Sequence, residues 1–133
     1  MDPKLLNAIQ QINAQQEEVN KISAEIQTQL AKQQSLQAQK NENENVKLEF
    51  DIVDESSGVE VYKLIGPVLV KQDFSEAKSN VDKRLEFIKK EVENTDKKIE
   101  ELLQKKQTLE KSMVDISNWV QQRVAQIQQL QKK

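Results

Sequence analysis

Val59-Glu60-Val61-Tyr62-Lys63-Leu64-Ile65-Gly66-Pro67-Val68-Leu69-Val70-Lys71-Gln72 lies between two long arms of heptad-repeat sequence and has the opposite character. Two β-rich runs flank Gly66-Pro67. A type II′ turn takes glycine at its first central position and accepts at the second the φ that proline fixes. The stretch therefore predicts one β-hairpin over 61–72, between an N-terminal helix over 1–53 and a C-terminal helix over 75–131. The fold class expected is mainly α, two long antiparallel coiled-coil helices joined by one β-hairpin in a single domain spanning 1–133.

Such a hairpin cannot stand alone. Two strands by themselves are at best marginally stable in water, and these would leave both edges unpaired. Leu64, Ile65, Val68, Leu69 and Val70 have too little chain around them to be buried within one molecule. Other hairpins must complete the sheet, so the chain is expected to be a subunit of an assembly.

Composition points the same way. Glycine, proline and aromatic residues are scarce while Gln, Glu and Lys are abundant, the profile of long helices rather than of a globular core. The absence of cysteine and histidine removes disulfides, thiolate chemistry, the commonest metal ligand and the commonest general base. An enzyme is not expected, and no cofactor is expected. The net charge of −2 arises from interspersed charges of both signs, so neither nucleic acid nor an anionic membrane is an expected partner. No apolar run approaches the roughly 18 residues of a membrane span, and Met1-Asp2-Pro3 lacks the pattern of a secretory signal. A cytoplasmic protein is expected.

The second arm has the cleaner period. Leu85, Val92, Ile99, Met113, Val120 and Ile127 form one row, and Ile88, Leu102, Leu109, Ile116 and Leu130 form the other. Lys106, Thr95 and Arg123 are the polar entries in a seam sustained over several heptads. Asp73 or Ser75 can cap its start, and Glu76 suits the positive end of the helix dipole. The first arm places Leu5, Ile12, Val19 and Ile26 in one row and Ile9 and Leu30 in a second, diluted by Gln16, Ser23, Gln33 and Gln37. Ile22, Leu36 and Phe50, then Val46 and Val53, read as a drift of the stripe. Val46 to Ile52 fits both a strand and a helix. Helix to about Val53 is expected because the arm upstream is helical, followed by a loop at Asp54-Glu55-Ser56-Ser57-Gly58.

A hairpin returns the second helix antiparallel to the first, so depth from the junction sets the pairing. Thr95 falls near Gln33, placing a polar layer opposite a polar layer. Leu5 falls near Arg123, which leaves Val124, Ile127 and Leu130 without an intrachain partner. Burying one such side chain is worth roughly 1.5–3 kcal/mol, so the tip is a candidate binding site. Trp119 lies beside the seam. Glu17-Glu18, Glu91, Glu93 and Glu100-Glu101 read as solvated coiled-coil flanks, and two glycines in the whole chain cannot form a phosphate cradle.

The run Val61 to Gln72, continued through Glu76-Ala77 and Asn80-Val81-Asp82-Lys83-Arg84-Leu85-Glu86-Phe87-Ile88, closely resembles the hairpin of prefoldin β-type subunits. The resemblance covers the middle third specifically and the arms only as heptad character. It implies a heterohexamer of two α-type and four β-type subunits whose hairpins form an intersubunit β-barrel with six coiled coils hanging from it. It further implies an ATP-independent chaperone that holds unfolded actin, tubulin and other clients for a cytosolic chaperonin. On that reading Val61, Tyr62, Leu64, Ile65, Gly66, Pro67, Val68, Leu69 and Val70 are the assembly hairpin. Leu5, Leu6, Ile9, Ile12, Val120, Val124, Ile127 and Leu130 are the client-binding tips. A coiled-coil scaffold or tether without holding activity is the alternative, and it needs no exposed Val/Leu/Ile strands.

Overall fold

A computed structural model describes residues 2–53 and 58–132, so the loop expected at 54–58 lies outside the described residues except for Gly58. Helix α1 (Pro3–Ile52) is followed by strands β1 (Val61–Ile65) and β2 (Val68–Gln72) and by helix α2 (Phe74–Lys132). Two long helices joined by one antiparallel hairpin is the fold class expected.

Each helix starts on an aspartate. Asp2 accepts from the Lys4 N–H through Oδ1 at 3.1 Å and from the Leu6 N–H through its carbonyl at 3.0 Å, with Pro3 at the first helical position. At α2 the Glu76 N–H donates to Asp73 Oδ2 at 3.1 Å and the Ala77 N–H to the Asp73 carbonyl at 2.9 Å. Asp73 is therefore the N-cap, and α2 opens one residue ahead of Ser75. The ambiguous stretch from Val46 is helix to Ile52. Val46, Phe50 and Val53 lie half-buried while Leu48 and Ile52 face outward, a helical rather than an alternating pattern. Extending a helix already formed adds one hydrogen bond per residue fixed and needs no new nucleus.

The chain packs as two compact units, Met1–Leu30 with Lys97–Lys133 and Ala31–Asp96. In the first, Ile22, Ile26 and Leu102 form a buried cluster with Leu109 packed against it. The Arg123 Nε donates to Asp2 Oδ2 at 2.8 Å, Gln15 Nε2 to Ser112 Oγ at 3.1 Å, and Lys98 lies 3.8 Å from Glu25. These contacts rise along α1 as they fall along α2, which defines an antiparallel pair. In the second unit Leu36, Ala77, Val81, Leu85 and Ile88 are buried. Lys32 with Glu91 at 3.2 Å, Lys47 with Asp82 at 3.4 Å and Lys78 with Asp51 at 3.4 Å again run antiparallel. Such exposed pairs are each worth about 0–1 kcal/mol, so the apolar seam supplies most of the stability. Phe50 and Phe74 meet edge to face at 5.4 Å, fastening the end of α1 to the start of α2.

The seam of α2 follows both predicted rows, and every member from Leu85 to Ile127 is at least half-buried. The seam of α1 needs a correction. Its second row is Ala8, Gln15, Ile22, Gln29, Leu36, Asn43 and Phe50, whereas Ile9 and Leu30 are exposed. Ile22, Leu36 and Phe50 are therefore regular heptad members, not a drifting stripe. Small and polar residues at alternate places hid the row from a count of apolar residues. The polar layer also differs in detail: Gln33 Nε2 donates to Asp96 Oδ1 at 2.6 Å. Thr95, only 2% exposed, satisfies its hydroxyl on the Glu91 carbonyl of its own helix at 2.7 Å.

Candidate assembly and binding surfaces

The hairpin register joins Ile65 to Val68 across Gly66-Pro67, leaving a two-residue loop. Gly66 has φ +58°, and a proline after it excludes the second positive φ of a type I′ turn, so the turn is type II′. Val61 opposite Gln72, Lys63 opposite Val70, and Ile65 opposite Val68 share one face. Tyr62 opposite Lys71 and Leu64 opposite Leu69 share the other. Only Val61 and Gln72, at the base, are half-buried, and Leu64 and Leu69 are 68% and 65% exposed. The sheet has two strands in all among the described residues, so both outer edges lack a partner. Val, Leu and Ile side chains on both faces, beside open edges, are what strand pairing with further chains would cover.

A polar cluster marks the base of the hairpin. The Tyr62 hydroxyl donates to Glu60 Oε2, and Lys71 Nζ lies 3.3 Å from Glu60 Oε1. The Tyr62 hydrogen bond, with help from Lys71, holds the Glu60 carboxyl below its ordinary range. In return, Glu60 pushes the Tyr62 phenol above its ordinary value. The cluster opens onto a cavity of about 270 Å³ lined by Val46, Phe50, Val53, Val59, Val61 and Phe74.

At the far ends of the helices the predicted tip residues divide. Leu5 is buried at 9% exposure and belongs to the coil interior. Ile12, Val120 and Ile127 are half-buried, while Leu6, Ile9, Val124 and Leu130 are exposed, Leu130 at 73%. Trp119, 40% exposed, borders a shallow groove with Ala8 and Ile116. The Asp2–Arg123 ion pair closes the coil, with 17% of the Asp2 side chain accessible, so α2 continues past the start of α1 from Val124. The Arg123 hydrogen bond holds the Asp2 carboxyl below its ordinary range. Sequence reasoning passed over Asp2 and the Glu60 cluster. Asp before Pro at the start of a helical pattern was the available signal for the first. For the second, the Glu60–Lys71 pairing follows only once the hairpin register is known.

No described helix is long and apolar enough to cross a membrane. Among the described residues, no three acidic side chains converge on a site able to hold a metal ion.

An antiparallel helix pair whose connecting hairpin is left uncovered on both faces defines an assembling coiled-coil subunit. Residues 13–117 match the Prefoldin subunit family, and the chain belongs to that family of chaperone components. It is similar to prefoldin subunit 6 of Arabidopsis thaliana, 40% identical over 100 residues that cover 75% of this chain and 71% of the relative. It is also similar to a probable prefoldin subunit 6 of Caenorhabditis briggsae, 38% identical over 96 residues covering 72% and 73% of the two chains. Among solved structures, the prefoldin beta subunit from Thermococcus strain KS-1 shares the fold, with a TM-score of 0.69, 17% identity, and coverage of 77% of this chain and 89% of that one.

Proposed function

We propose that the chain is a β-type subunit of a heterohexameric prefoldin complex, one functional domain over 1–133, that holds unfolded proteins without ATP and passes them to a cytosolic chaperonin. The observation that carries this reading is the uncovered hairpin. Its strands are well formed, yet Leu64, Ile65, Val68, Leu69 and Val70 stay exposed and both edges are open. In the complex, hairpins of neighbouring α- and β-type subunits complete a β-barrel that buries them. A tether would gain nothing from such strands.

Holding belongs to the start of α1 and the end of α2. Leu6, Ile9, Val124 and Leu130 offer scattered, exposed apolar side chains, which suit a non-native chain such as unfolded actin or tubulin better than one shaped ligand. Several weak tips acting together raise the effective concentration and still permit release, so no nucleotide is required. The protein works in the cytoplasm as a non-enzymatic component, without cofactor, nucleic acid or membrane partners. Native mass spectrometry of the complex isolated from its own cells tests the assignment. A heterohexamer containing this chain is expected, and a homodimer would overturn it in favour of the tether.

A further inference from the structure

The coil formed by residues 1–30 and 97–133 carries a feature that its apolar seam does not need. Gln15 sits within that seam, donating from Nε2 to Ser112 Oγ at 3.1 Å, while its Oε1 is buried with no hydrogen-bond partner. A buried acceptor left unpaired opposes folding. Such layers in coiled coils lower stability but distinguish one alignment of the helices from another. Here the distinction is needed because Leu102, Leu109 and Ile116 succeed one another at heptad spacing. Sliding α2 so that Trp119 comes to Gln15 would put Leu109 and Ile116 where Leu102 and Leu109 now stand against Ile22 and Ile26, whereas the opposite slide puts Thr95 in the place of Leu102.

The polar contacts do not survive such a slide. Moved seven residues one way, Gln15 meets Trp119, Ser112 meets Ile22 and Asp2 meets Leu130. Moved the other way, Gln15 meets Lys105, Ser112 meets Ala8 and Asp2 meets Ile116. In both cases the Gln15 Nε2 loses the Ser112 hydroxyl and Asp2 loses Arg123, its partner at 2.8 Å. The two contacts are also separated by thirteen residues on α1 and eleven on α2, neither a whole number of heptads, so no slide can satisfy one with the other's partner.

We infer that the Gln15–Ser112 layer and the Asp2–Arg123 clasp together select one antiparallel register for this coil against the heptad slide that its row of Leu102, Leu109 and Ile116 accepts. The register fixes where α1 begins along α2, and so how much of the stripe Val124, Ile127 and Leu130 stays uncovered. That last consequence rests on the tip reading above. One slide would bring Asp2 to Leu130 and cover the stripe, and the other would lengthen it by a heptad.

The chain has no cysteine, so paired cysteines report the register in the intact chain. Gln11→Cys with Ile116→Cys reads the observed register, since both positions border the Trp119 groove. Gln11→Cys with Leu109→Cys reads one slide, and Lys4→Cys with Leu130→Cys reads the other. In the native background only the first pair should form an intrachain cross-link. With Gln15→Leu, Ser112→Leu and Arg123→Ala combined, a slid pair should cross-link to a comparable extent while the helical circular dichroism is kept. A merely structural role would change the melting temperature without moving the cross-link. Cross-linking confined to the first pair in the substituted chain would overturn the inference. Should the triple variant lose its helical signal, Ser112→Ala with Arg123→Ala puts the same question with the same two answers. A slid register that leaves client holding unchanged would support the lock and count against the tip reading.

Discussion

At Gly66 the backbone turns with φ +58°, and a Cβ added there would meet nothing within 4 Å. The penalty for Gly66→Ala is therefore backbone strain alone, about 1–3 kcal/mol, which a two-stranded hairpin can ill absorb. Proton exchange at the β1–β2 amides should quicken in that variant while α2 is unaffected. The Glu60–Tyr62–Lys71 cluster makes a second prediction at this scale, one that the chain's single tyrosine reports directly. Glu60 raises the Tyr62 pKa, so the folded state favours the neutral phenol. That contribution is complete below the ordinary value of 10.0 and is lost as pH rises through the raised one. The Glu60 carboxyl is shifted the other way, so its contribution is present above the ordinary 4.5 and fades as pH falls through the lowered value. Phenolate absorbance should thus titrate above pH 10.0 in the native chain and move down in Glu60→Gln; an unmoved titration would exclude the pairing. Within the coil, Ile22→Ala should cost about 2–5 kcal/mol, because Ile22 is almost fully buried. Thr95→Val should stay within about 1 kcal/mol, since its hydroxyl serves only a carbonyl of its own helix. Thermal unfolding followed by circular dichroism compares the two.

At the scale of elements, what could be read in advance depended on where burial is announced by apolar residues. Helix α2 was legible because Leu85, Ile88, Leu102 and Leu109 stand at heptad places, and the hairpin because Gly66-Pro67 separates two β-rich runs. Helix α1 was legible as a helix but not as a packing surface. Gln15, Gln29 and Asn43 occupy seam positions there, whereas the exposed Ile9 and Leu30 mimic a seam. A burial position filled by an amide is decided by the residue it meets on the other helix, and a single sequence does not show that residue. Glu60, Tyr62 and Lys71 likewise required the strand register. The element-level prediction concerns the end of α2. Removing residues from Val124 onward deletes the exposed Val124 and Leu130 and the half-buried Ile127 beyond the Asp2–Arg123 clasp and none of the buried cluster around Ile22. The truncated chain should keep its melting temperature and its assembly but protect an aggregation-prone client less well by light scattering. Full protection would show that the tip does not hold clients.

Across the whole molecule, the two surfaces ask for different partners. The hairpin offers ordered strands with open edges, suited to fixed neighbours of the same architecture. The tips offer dispersed, exposed apolar side chains, suited to chains that lack a fold. On the proposed function, assembly and holding should therefore be separable by mutation, with assembly upstream because holding would rely on several tips at once. The central claim is that the hairpin exists to join subunits. Native mass spectrometry of the complex formed with a Leu64→Asp, Leu69→Asp chain tests it most directly, alongside circular dichroism of the same chain. The substituted chain should remain helical and be absent from the proposed hexamer. Its incorporation at the native stoichiometry would contradict the claim.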